Sequence, residues 1–219
     1  MARLGAMMAG SNPERKRQAG DFYPTPPDVT EALLDNWPLT PRSCIWEPAC
    51  GDGAIAKVLE ARGHTVTSSD LNDQGYGFTG IDFLGEDSMA ASLPKVRLLP
   101  LHIITNPPFN LAAEFIDHAC SLEMDGVAML LKSQFWHARK RTALFHKHRP
   151  AMILPLTWRP DFLGQGGPTM DVMWCVWIKG FGLPTMYRPI LRPGTPAVKV
   201  KRAPRKAARA VATKELEAA

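Results

Sequence analysis

Cys44-Ile45-Trp46-Glu47-Pro48-Ala49-Cys50-Gly51-Asp52-Gly53-Ala54-Ile55-Ala56 is the stretch that decides the fold. A short apolar strand runs into a glycine turn, and the turn runs into a helix predicted over residues 54–62. Gly51 and Gly53 permit a tight turn and a close approach of a ligand to the backbone. The pattern is not the Gly-x-Gly-x-x-Gly that presents a helix N-terminus to a pyrophosphate. Glu47 and Asp52 flank the loop, and two carboxylates would repel a phosphate while suiting a cationic ligand.

Outward from this loop the chain alternates strand and helix. His64 to Asp70 reads as a second strand ending in an acid, and Asp70 lies 17 residues beyond Gly53. Rossmann-type units place a ribose-binding carboxylate at about that distance. Leu101-His102-Ile103-Ile104-Thr105 reads as a fourth strand. It ends in Asn106-Pro107-Pro108-Phe109, where neither proline can continue the ladder and each holds φ near −65°. Each proline also pushes the residue before it toward extended backbone. The product is a stiff elbow displaying an amide and an aromatic ring at a strand's C-terminal end, the edge where open α/β sheets bind ligands.

These residues carry a resemblance. Asn-Pro-Pro-Phe resembles the catalytic tetrapeptide of S-adenosylmethionine-dependent amino-methyltransferases, and Glu-Pro-Ala-Cys-Gly-Asp-Gly is similar to the first cofactor motif of the class I enzymes. The resemblance spans residues 21–178. Its order (cofactor loop, glycine loop, acid, Asp-Phe, Asn-Pro-Pro-Phe) is the gamma order of DNA adenine-N6 methyltransferases. It implies a Rossmann-like α/β sheet, mainly parallel with an antiparallel closing strand. It also implies S-adenosylmethionine as cofactor, its sulfonium and ammonium meeting Glu47, Pro48, Ala49, Cys50, Gly51 and Gly53. Tyr23, Thr25 and Pro26 would line the methionine end, Asp70 the ribose, and Asp82 and Phe83 the adenine. Asn106 and Pro107 would accept hydrogen bonds from the target amine, with Pro108 stiffening the elbow and Phe109 stacking on the flat substrate. Two departures stand out: Phe109 replaces a Tyr common in the DNA enzymes, and no stretch is long enough for a separate target-recognition domain.

The remaining elements are read from pattern. Asp28 is placed as the cap of an amphipathic helix over residues 29–36, and Asn110 as the cap of a helix over 111–122. Gly126 to Leu131 is an apolar run of the kind buried on both faces. A basic helix is expected over 137–148, a short strand at Met152-Ile153-Leu154 and a closing strand at Val172 to Ile178. Gly164-Gln165-Gly166-Gly167-Pro168 is either a hairpin connection or a lip over the substrate.

Length and charge set the frame. The 219 residues suit one catalytic domain over 21–191, between a disordered segment at 1–20 and a disordered basic tail at 192–219. No apolar run approaches the ~20 residues of a membrane span, no secretory signal is visible, and the four scattered cysteines suit a reducing cytoplasm. From Arg192 onward the chain carries eight Lys/Arg and two Glu, so the tail is +6 and residues 1–191 sum to −1. Within that balanced body, residues 132–160 hold seven Lys/Arg and no acid, which fits a polyanionic partner. Gln134, Trp136, Arg139, Lys140, Arg141 and Trp158 are candidate substrate contacts. Trp158 and Phe162 also suit the core. His146-Lys147-His148 lacks a nearby carboxylate or thiol, so no metal is expected and the face reads as basic and solvated. DNA is the leading partner, with guanine-N2 in RNA or a protein glutamine as alternatives. A nucleic-acid-binding module without catalysis is the reading from a different class.

Overall fold

The computed structural model describes residues 23–85, 98–122 and 124–196. The segment 1–20 and most of the tail 192–219 lie outside the described residues. Helix α1 (Pro27–Asn36) leads into strand β1 (Cys44–Glu47), helix α2 (Ala54–Ala61) and strand β2 (Thr65–Ser68). Strand β3 (Leu101–Thr105), helix α3 (Ala112–Ser121) and strand β4 (Gly126–Lys132) follow. Helix α4 (Thr142–Lys147) and strands β5 (Met152–Pro155), β6 (Val172–Ile178) and β7 (Met186–Tyr187) complete the described elements. The strands form one mixed α/β sheet in the order β2-β1-β3-β4-β6-β5-β7. Among the described residues β6 alone runs against its neighbours, paired with β4 from Gly126↔Ile178 to Lys132↔Val172 and with β5.

The pleat explains the two cores. Successive side chains of a strand point to opposite faces. Ile104, Ala128, Leu130, Val172, Trp174 and Val176 meet α1 and α2 on one face. Ile103, Val127, Met129, Leu131, Met173 and Cys175 meet α3 on the other. Every residue of β3 is buried, as a central strand covered twice must be. Each face is anchored by a fully buried tryptophan whose N–H is satisfied. Trp174 donates to the Val29 carbonyl at 2.9 Å, and Trp46 donates to Ser69 Oγ at 3.0 Å. Truncating either to alanine would cost about 3–5 kcal/mol.

Several local expectations are corrected. Leu101–Thr105 is the third strand rather than the fourth among the described residues. Asp28 does not cap α1. The helix begins at Pro27, whose missing N–H costs nothing at a helix start, and Asp28 in the first turn accepts from Arg192 Nε at 2.6 Å. Nor does Asn110 cap α3, which starts at Ala112 after Leu111 donates its N–H to the Pro108 carbonyl at 2.9 Å. The basic helix expected over 137–148 is broken into two 3-10 turns, Phe135–His137 and Arg139–Arg141, before α4. Arg141 accounts for the break: its guanidinium donates to the Phe135 carbonyl at 2.6 Å and lies 3.8 Å from the centre of that ring.

Residues 164–168 belong to the connection between the antiparallel neighbours β5 and β6. Arg159 and Asp171 tie its two ends through a two-pronged ion pair at 2.7 and 3.2 Å. Because β5 runs parallel to β4 and β6 against it, this connection stands at the edge where β4 ends.

Candidate active site

Strands β1, β2 and β3 run in the same direction, and their C-terminal ends open onto one cleft of about 490 Å³. That volume suits a nucleoside-sized ligand. Glu47 reaches the cleft from the last position of β1, Asp70 from two residues beyond β2, and Asn106 from the residue after β3. Among the described residues the lining includes five acidic side chains (Glu47, Asp52, Asp70, Asp73 and Asp82) and no Lys or Arg. A phosphate would be repelled there, and a cation attracted.

Two of these acids do different work. Asp70 is structural as well as exposed to the cleft: Oδ2 accepts the Gly51 N–H at 2.9 Å and Oδ1 accepts the Asn72 N–H at 2.8 Å. Glu47 is 1% exposed, and its Oε2 has no hydrogen-bond partner among the described residues. Burial pushes its carboxyl well above the usual carboxylate range. The Ala56 backbone N–H opposes that rise, and Asp52, Asp70 and Glu60 add to it. A buried carboxylate oxygen lacking a donor fits a ligand that brings a positive charge or N–H donors of its own. S-adenosylmethionine has both, so the residues present fit that cofactor. Burial, then Glu47 and Asp70, push the Cys50 thiol up to about 12, so Cys50 packs in the loop rather than reacting.

The elbow is built as its residue types demand. Pro107 is buried and Pro108 borders the cleft. The Asn106 side chain donates from Nδ2 to the Tyr23 carbonyl at 3.3 Å and to Thr25 Oγ1 at 3.1 Å. A carbonyl can only accept, which fixes which end of the amide is nitrogen. Asn106 Oδ1 is therefore the atom turned the other way, and it is buried without a partner among the described residues. Phe109 is half-buried beside the Tyr23 ring (centroids 6.0 Å, planes 32° apart) and beneath Lys132 Nζ, 4.5 Å from its ring centre.

The other sequence candidates divide. Tyr23, Thr25, Glu47, Pro48, Ala49, Cys50, Gly51, Asp70, Asp82 and Phe83 all line the cleft, whereas Pro26 and Gly53 do not. Pro26 instead gives its carbonyl to the Val29 N–H at the start of α1. Gly53 is needed for a different approach. Its φ is +77°, and a Cβ there would lie 2.5 Å from the Tyr76 ring. Asp82 Oδ1 accepts the Leu84 N–H at 2.9 Å, and Phe83 packs among Trp46, Phe115 and His118 with its edge at the cleft. Sequence reasoning missed Leu71-Asn72-Asp73-Gln74, which line the cleft beyond Asp70, and Ile81 and Leu111. Their signal was position alone: they follow a strand-end acid or the elbow, or directly precede Asp82.

Among the substrate candidates, Trp136 is drawn into packing, with its N–H on Cys175 Sγ at 3.4 Å and its ring against Phe135 and Phe145. Arg141 is held by Phe135, and Trp158 is half-buried against the α1 core. Gln134, Arg139 and Lys140 stay exposed near the end of β4. The cationic stretch 132–160 is thus split between two edges of the sheet. Lys132, Arg139 and Lys140 stand at the cleft edge. Lys147 and Arg149 precede β5 at the far edge, where Asp117 Oδ1 takes both Lys147 Nζ and His148 Nε2 at 2.6 Å. Among the described residues no helix is long and apolar enough to cross a membrane.

Neither a protein-family model nor a curated protein matches the chain. Solved structures do. A Listeria monocytogenes protein assigned as a class I S-adenosylmethionine-dependent methyltransferase aligns with TM-score 0.54 at 14% identity, over 96% of this chain and 76% of its own. The fold is that of the class I methyltransferases. A Vibrio vulnificus protein described as a modification subunit of a type I restriction enzyme aligns with TM-score 0.57 at 12% identity, over 91% of this chain and 54% of its own. A Pyrococcus horikoshii protein assigned as an RNA methyltransferase aligns with TM-score 0.55 at 14% identity, over 82% of this chain and 99% of its own. The chain spans about half the length of the type I subunits it matches. In the class I methyltransferase fold, β6 is the antiparallel closing strand that the sequence placed at Val172–Ile178.

Proposed function

We propose that the chain is an S-adenosylmethionine-dependent methyltransferase acting on the N6 amine of adenine in DNA. One observation carries the reading: Asn106 Oδ1 is a buried, unpartnered acceptor whose direction is fixed by the two bonds of its own Nδ2. Such an atom beside a carboxylate-lined cleft suits an N–H donor brought by the substrate.

The cofactor, when bound, supplies an electrophilic methyl group on its sulfonium. Every other requirement falls on the chain. An amine conjugated to a ring is a poor nucleophile because its lone pair is delocalised. Accepting hydrogen bonds from its two N–H groups, at Asn106 Oδ1 and at the Pro107 carbonyl, draws the nitrogen toward a pyramidal geometry and turns the lone pair to the cleft. The two prolines stiffen the backbone that carries both acceptors. Phe109 offers a flat contact to a base taken out of its stack. No base is needed before transfer, since the methylated nitrogen is cationic and sheds its proton to water.

The gamma order of motifs and the likeness to a type I modification subunit support DNA. The likeness of similar strength to a protein assigned as an RNA methyltransferase supports RNA as the second reading, with Phe109 in place of Tyr. A cytoplasmic location belongs to either. Transfer of labelled methyl from S-adenosylmethionine to unmethylated DNA, unmodified ribosomal RNA and bulk protein, with the product identified by mass spectrometry, tests it. Methyladenine in DNA is expected; label only in RNA or protein moves the substrate class, and no label on any of them overturns the reading.

A further inference from the structure

Asn106 does not fix its own orientation. The terminal torsion of an asparagine is broad and nearly two-fold, so either end of the amide can face a given direction. With the amide reversed, Nδ2 would meet the N–H groups of the target amine, donor against donor. What prevents reversal lies more than eighty residues away in sequence, in the Tyr23 carbonyl at 3.3 Å and Thr25 Oγ1 at 3.1 Å. Reversal would break both bonds and set Asn106 Oδ1 against the Tyr23 carbonyl. Thr25 makes the shorter bond and is 3% exposed.

The two acceptors are themselves stiffened. Tyr23 precedes Pro24 and Thr25 precedes Pro26, and a residue before proline is confined to extended backbone. Pro26 has φ −55° and ψ 140°, the polyproline conformation, and Pro27 begins α1. A proline-held strap therefore grips a proline-held elbow through one amide.

We propose that Thr25 is a positioning residue for the reaction: its hydroxyl, with the Tyr23 carbonyl, holds the Asn106 amide so that Oδ1 faces the amine. This rests on the reading of Asn106 given above. The role differs from cofactor binding, and the two are separable. Thr25→Val keeps the shape and removes the acceptor; Thr25→Ser keeps the hydroxyl. Thr25→Ala serves in place of valine if the second methyl group cannot be housed.

Two measurements decide it. The first needs no turnover: proton exchange of the Asn106 side-chain amide by NMR, assigned through its loss in Asn106→Asp. Thr25→Val is expected to speed that exchange about ten-fold, and Thr25→Ser to leave it near wild type. The second is steady-state kinetics. Thr25→Val is expected to lower kcat about ten- to a hundred-fold with substrate KM and cofactor Kd nearly unchanged, and Thr25→Ser to restore kcat. Unchanged exchange in Thr25→Val overturns the tether. Faster exchange with unchanged kcat overturns the positioning role, and a kcat loss matched by a cofactor Kd loss assigns Thr25 to the cofactor instead. Failure of the wild-type chain to methylate any amine overturns the reading of Asn106, a result distinct from each of these.

Discussion

Asp70 Oδ2 accepts the N–H of Gly51 at 2.9 Å, so the acid beyond β2 holds the glycine loop beyond β1. Its other oxygen holds the Asn72 N–H, which means the carboxylate spans two loops of the cleft. Both partners are donors. An amide in its place would turn one NH2 against a backbone N–H, so Asp70→Asn is expected to be at least as damaging as Asp70→Ala. Each should lose about 1–3 kcal/mol in denaturant unfolding. Calorimetric titration with S-adenosylmethionine should show both losing most of their affinity. An Asp70→Asn variant as stable as wild type would show that the loops hold without it.

Glu47 predicts a conflict between stability and binding. Its carboxyl is raised by burial, so the folded state holds a proton that the unfolded chain gives up near pH 4–5. Stability from this group is complete below the unfolded pKa and is lost as pH rises through the folded one. Glu47→Gln stays neutral throughout. Its Tm without ligand is expected to exceed wild type by more at pH 8 than at pH 5, while its affinity for the cationic cofactor falls. Thermal melts at both pH values and a binding titration check this.

Gly53→Ala is expected to cost about 1–2 kcal/mol for its left-handed backbone, with a further loss from overlap with Tyr76. Tyr76→Ala removes the ring that the new Cβ would strike. The double variant should therefore be more stable than the two single losses added together, which a double-mutant cycle in urea measures. Simple additivity would mean the ring moves aside at no cost.

The split of the cationic stretch separates its two halves in function. Arg139→Glu with Lys140→Glu is expected to weaken nucleic-acid binding, lowering the salt slope by about one unit for each phosphate no longer neutralised. Lys147→Glu with Arg149→Glu, at the far edge of the sheet, should leave both affinity and slope near wild type. Fluorescence anisotropy with a labelled duplex at several salt concentrations distinguishes them.

The glycine loop and the elbow were legible because their causes are local. A glycine at positive φ and paired prolines impose their geometry whatever surrounds them, and β3, β4 and β6 announce themselves by apolar runs. Helix starts were less legible, since Asp28 and Asn110 are good caps by residue type but Pro27 and the Pro108 carbonyl settle where the helices begin. The broken basic helix depends on Arg141 bonding back to Phe135, a side-chain interaction that no periodicity encodes. Charge counting found the cationic stretch and could not say that it crosses from one end of the sheet to the other. The grip of Thr25 on Asn106 was out of reach for the same reason, because it joins segments with no shared pattern.

Because β6 runs against β4 and β5, the chain leaves the sheet after β5 and re-enters it before β6 on the side of the elbow, with Arg159 and Asp171 clasping the base of the excursion. Lengthening a clasped loop costs little, about 0.6 kcal/mol for each doubling. A lineage built on this sheet can thus acquire new selectivity by growing the mostly exposed residues 164–169 outward, while the strands that hold Glu47 and Asn106 stay as they are. Redesign has the same opening: a graft at that rim is free to vary in sequence and length without entering either core.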